Sequence, residues 1–156
     1  MKKIIKVILI VLVIGFVALQ FFQPKKNLGT TSTEDLLVAQ QVPDDVSLIL
    51  KNSCYDCHSN HTRYLWYHNI SPVSWMINDH IQDGKHELNF SEWGKLDIYD
   101  QITDLEKISR ETKHKEMPLK SYLLMHPSAK LNQEQIDRIE AWTNNLGEQL
   151  LKKSAN

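Results

Sequence analysis

Asn52-Ser53-Cys54-Tyr55-Asp56-Cys57-His58 holds both cysteines of the chain, three positions apart, with a histidine directly after the second. Two thiols at this spacing can each add to a vinyl group of one haem, and the histidine that follows is placed to ligate the iron. The stretch therefore predicts one covalent c-type haem on Cys54 and Cys57, with His58 as an axial ligand. Chance is a poor competitor: two cysteines and seven histidines scattered over 156 residues produce this arrangement on the order of once in two thousand sequences. A redox dithiol would want a βαβ setting, whereas the flanking residues have helical periodicity. Structural zinc would need a second ligand pair at finger-like or ribbon-like spacing, and no second Cys-x-x-Cys exists.

With both cysteines in the motif, no disulfide framework is left, and stability must come from helices, aromatics and the cofactor. A chain of 156 residues is one domain with an attachment segment. Net charge is −1, but Lys2, Lys3, Lys6, Lys25 and Lys26 all precede the first acid, Glu34, which leaves −6 on residues 27–156. That balance gives a nucleic acid no footing.

Residues 1–22 open with three lysines and continue as an apolar run broken only at Gln20. Ile4 to Phe22 spans 19 residues, near the length that crosses a bilayer if Lys6 snorkels, and no small-x-small cleavage site stands near its end. The expectation is a single-pass anchor in the cytoplasmic membrane with the body on the periplasmic side; a cleaved signal segment is the alternative. Residues 23–43, with Pro24, Gly29 and the run Thr30-Thr31-Ser32-Thr33, read as a linker.

Residues 44–151 read as the haem-binding domain, and its periodicity is helical. After Pro43, Asp44 or Asp45 can cap a helix with Val46, Ile49 and Leu50 on one face and Cys54 one turn on. Ser71-Pro72 starts a second helix, whose stripe of Val73, Met76, Ile77, His80 and Ile81 stops near Gly84. Ile98, Ile102, Leu105 and Ile108 define a third. Asn132, with Gln135 as capping-box partner, opens the last, which places Ile136, Ile139, Trp142, Thr143, Leu146 and Leu150 on one face. The aromatic stretch around His61–Ile70 and the turn Asn89–Gly94 are irregular, and apolar Leu119–Pro127 should line the haem pocket. The fold class is all-α.

Met117 precedes Pro118, which keeps its backbone extended and suits a side chain aimed inward from a loop, so it is the first candidate for the sixth iron ligand. His80, His126 and His61 are the rival donors.

The chain resembles a bacterial haem-binding domain family of small membrane-anchored proteins. The likeness runs over about residues 40–145, through Cys54-Tyr55-Asp56-Cys57-His58-Ser59-Asn60, Tyr67-His68-Asn69-Ile70-Ser71-Pro72-Val73-Ser74-Trp75, Asp79-His80-Ile81, Leu88-Asn89-Phe90-Ser91-Glu92-Trp93, Glu116-Met117-Pro118 and His126-Pro127. More distantly, the order of helix, Cys-x-x-Cys-His, Met-Pro and final aromatic-bearing helix is similar to monohaem cytochrome c, apart from the insert His61–Trp93. The resemblance implies a cytochrome c-like helical domain around one haem, with thioethers at Cys54 and Cys57, His58 proximal and Met117 distal. The implied role is single-electron transfer with a redox partner protein at the outer face of the membrane, without catalysis. A peroxidase-type enzyme or a haem-based sensor, with an open sixth position, is the alternative.

Overall fold

Where apolar residues recur every three to four positions the chain is helical, and Gly15, Gly84 and Gly147 lie within helices, so the helix expected to stop near Gly84 runs on to Glu87. The computed structural model describes residues 1–30 and 32–155; Thr31, within the expected linker, and Asn156 lie outside the described residues. Its helices are α1 (Lys2–Leu19), α2 (Leu36–Ala39), α3 (Asp44–Ser53), α4 (Tyr55–His58), α5 (Val73–Glu87), α6 (Ile98–Lys113), α7 (Lys120–Leu123) and α8 (Gln133–Ser154). Short 3₁₀ segments lie at Trp66–Asn69, Phe90–Lys95 and Pro127–Ala129. Among the described residues there is no strand beyond an isolated antiparallel bridge between Leu28 and His61, so the all-α class holds.

Caps fix the register of the two longest helices of the body. Asp97 accepts from the Asp100 amide at 2.9 Å to start α6. At α8, Asn132 accepts from the Gln135 amide at 2.8 Å and Gln135 returns a bond to the Asn132 amide at 3.0 Å, the expected capping box. With the ends set, Leu105 and Ile108 of α6 meet Ile139, Trp142, Leu146 and Leu150 of α8. Val46, Ile49 and Leu50 of α3 close the same core together with Leu36, Phe90 and Trp93. Trp93 and Phe90 are the largest fully buried side chains. The stripe of α5 is less used: Ile81 is buried, whereas Val73 and Met76 stay exposed, because the start of α5 meets the polar end of α1 and not the core.

The expected membrane helix is overturned, and with it the single-pass placement in the cytoplasmic membrane. No helix among the described residues is long and apolar enough to cross a membrane. The helix ends at Leu19, because Gln20 turns to exchange hydrogen bonds with Ser71, its Nε2 donating to the carbonyl at 3.1 Å and its Oε1 accepting from the amide at 3.0 Å. Trp75 Nε1 donates to the Phe22 carbonyl at 2.6 Å, so Phe21 and Phe22 belong to a turn. With Lys2, Lys3 and Lys6 inside the helix, the uninterrupted apolar part is Val7–Leu19. At 1.5 Å per residue that part is about 20 Å long, against a hydrocarbon core of about 30 Å.

Candidate functional site

At the end of α3 the chain breaks helix at Cys54 and rewinds into the single turn α4. The amides of Cys57 and His58 both bond to the Cys54 carbonyl, at 3.2 and 3.0 Å. Residues at i, i+3 and i+4 of such a turn share one side, so Cys54, Cys57 and His58 are presented together. Both cysteines are free and half-buried. Burial pushes the Cys54 thiol up to about 12, with a further contribution from Cys57, and pushes Cys57 up to about 11, helped by the charge of Asp56. Among the described residues no group of three or more His, Cys, Asp and Glu is arranged to hold a metal ion.

His58 is fixed by its own second nitrogen. Its Nδ1–H donates to the Leu88 carbonyl at 3.1 Å, which leaves the Nε2 lone pair as the available ligand atom. Burial lowers the imidazole pKa, and backbone hydrogen bonds to Leu88 and Gly84 oppose the shift. The ring is thus kept neutral, the form that binds iron. Phe90 stands 6.0 Å from the His58 ring and stacks on Tyr55 at 4.9 Å. Tyr55 in turn donates to Asp35 at 2.8 Å, and burial raises its phenol pKa.

α5 lies directly over the motif at Gly84, where an added Cβ would meet the Cys57 carbonyl oxygen at 2.9 Å. Gly84→Ala should therefore cost about 1–3 kcal/mol of overpacking, outweighing a helix-propensity gain of up to about 1 kcal/mol. Gly147 in α8 has open space around its Cα, so Gly147→Ala should gain about 0.5–1 kcal/mol. Urea unfolding of the two variants checks the pair, and equal effects would mean that Gly84 is not a close-packing position.

Asp56, one of the two residues between the cysteines, is the hub of a second network. Buried Asp56 accepts from the Arg63 amide at 3.1 Å, from Arg63 Nη2 at 3.2 Å and from the Tyr122 hydroxyl at 2.8 Å. Tyr122 stacks on His126 at 3.9 Å and 14°, and its carbonyl accepts from His126 Nδ1–H at 3.1 Å. The Tyr67 hydroxyl lies 3.3 Å from His126 Nε2. His68 is stacked 6.3 Å beyond His126, and its Nδ1 accepts from the Leu65 amide at 2.6 Å. Burial lowers the His68 pKa, and neighbouring His126 adds to the shift.

The candidates for the sixth ligand fall in different places. Met117 is half-buried on the turn after α6, its amide bonded to the Glu111 carbonyl at 3.2 Å. Among the described residues no hydrogen bond joins Met117 to the Cys54–His58 turn; Tyr122, five residues later, makes that connection. His126 is buried and His80 half-buried on α5. His61 is exposed, with Nδ1–H donating to the Gly29 carbonyl at 3.0 Å. Asp56, Tyr122 and His68 were not singled out by spacing, since their partners lie far away in sequence or in an aperiodic stretch.

Two free thiols and an imidazole of fixed tautomer lie on one helical turn, a donor set of the kind a haem takes. A cavity of about 490 Å³ opens on the Tyr55, Asp56 and Ser59 side of that turn, and Cys54, Cys57, His58 and Met117 are not among its lining residues. Trp93 Nε1, in the core, has no hydrogen-bond partner among the described residues. No curated protein and no solved structure matches the chain. A family model described as a haem-binding domain matches residues 14–145. The chain belongs to that haem-binding domain family.

Proposed function

We propose that this haem-binding protein carries one covalently attached haem on Cys54 and Cys57, with His58 as proximal and Met117 as distal ligand, and that it passes single electrons to and from a partner protein. The observation that supports the reading is the single turn that holds Cys54, Cys57 and His58 together, with His58 Nδ1 engaged by the Leu88 carbonyl so that Nε2 is left for iron. When bound, the haem supplies a one-electron ferric–ferrous couple.

The chain's own residues do the rest. Cys54 and Cys57 would hold the haem through thioethers, each thiol adding its sulfur to one vinyl carbon and its hydrogen to the other, with nothing leaving. The hydrogen bond from His58 to Leu88 sets the tautomer and strengthens Nε2 as a donor. Phe90 packs beside that imidazole with Tyr55 stacked on Phe90, and such low-dielectric surroundings disfavour the more charged ferric form. A thioether ligand from Met117 stabilises ferrous iron and raises the potential relative to two histidines.

The optical spectrum of the oxidised protein tests the ligand pair. It should show the weak far-red charge-transfer band of iron–sulfur ligation, and Met117→Ala should abolish the band and lower the potential. A bis-histidine spectrum in the wild type, lost in His80→Ala or His126→Ala, would give the position to that histidine.

A further inference from the structure

Segment 117–126 is thinly attached to the body. Leu124 is 82% exposed and Met125 49%, Lys120 and Ser121 are exposed, and only Pro118 and His126 are buried. Apolar burial therefore contributes little to holding it, and a segment of this kind opens locally unless something else restrains it. The restraint is polar. Tyr122 donates to Asp56 at 2.8 Å, and the same tyrosine grips His126 through its ring and its carbonyl. Asp56 cannot follow the segment outward, because the amide and guanidinium of Arg63 hold its two carboxylate oxygens while Thr62 donates to its carbonyl at 2.6 Å. Burial, with the Asp56 charge second, raises the Tyr122 pKa, which keeps the phenol a donor.

We propose that Asp56 and Tyr122 are positioning residues: their hydrogen bond latches segment 117–126 against the Cys54–His58 turn and keeps the sixth coordination position of the haem closed. The proposal rests on the reading of that turn as the attachment site. It assigns Asp56, one of the two residues between the cysteines, a task that the motif itself does not require, and it ties the middle of the segment that runs from Met117 to His126 to the turn.

Two measurements on the full-length protein, made with a cytochrome c maturation system, separate the latch from the haem reading. The first is hydrogen exchange at the amides of Leu123, Met125 and His126, which bond within the segment. Removing one hydrogen bond to a carboxylate in Tyr122→Phe should speed their exchange about 10- to 100-fold, with α8 unchanged. Asp56→Asn, which keeps a neutral acceptor, should give a smaller increase and serves if Tyr122→Phe fails to fold. Unchanged protection in both variants overturns the latch, whether or not the protein carries haem. The second is carbon monoxide uptake by the reduced protein, which should be at least about tenfold faster in Tyr122→Phe, in line with the same bond. Faster exchange without faster uptake overturns the control of the sixth position, and absence of haem from the wild type overturns the attachment reading alone.

Discussion

The Cys54→Ala, Cys57→Ala double variant is expected to retain no haem after denaturation, while the wild type keeps its full complement. The proposed attachment would use both sulfurs, and the chain has no other cysteine. The single variants should each keep one thioether, and with it a bound but spectrally shifted haem. On a denaturing gel stained for haem-linked peroxidase activity, the wild-type band should be positive and the double-variant band blank. The thiols supply a reason to expect dependence on maturation machinery: burial pushes both up to about 11–12, so few thiolates form unaided at neutral pH. A stained band in the double variant would remove the cysteines from the account.

Trp93→Ala should be the most damaging single change to stability. The indole is fully buried in the one cluster that joins α3, α6 and α8. Losing it leaves a cavity at the junction, which costs about 3–5 kcal/mol for an aromatic and lowers Tm by on the order of 10 °C for a chain of this size. Trp93→Phe should cost clearly less, since the indole N–H has no hydrogen-bond partner among the described residues to lose. Thermal and urea unfolding of the two variants gives the comparison. Equal losses would mean that the N–H is bonded in solution.

The parts of the fold that were legible in the sequence are those encoded by local rules. Val46, Ile49 and Leu50, the stripe of α8 and the Asn132–Gln135 capping box depend on spacings of three and four, and they are where spacing puts them. The N-terminal helix misled for a physical reason. Counting Ile4 to Phe22 relies on Lys6 snorkelling and carries the span past Gln20, whose contacts with Ser71, 51 positions away, are not visible in the sequence. The site divides in the same manner. Cys54, Cys57 and His58 stand out in the sequence because the proposed attachment would need them close together. The groups that orient them were not: Leu88 is 30 positions from His58, and Tyr122 is 66 from Asp56. Neither partnership follows a period, so only the folded chain brings them together.

Intact mass of the denatured wild-type protein, made with a cytochrome c maturation system, tests covalent attachment most directly. The account predicts a chain heavier by one haem, with the added mass lying on a proteolytic fragment that spans Cys54 and Cys57. A chain of unmodified mass, with the haem extracted into acidic organic solvent, would contradict it.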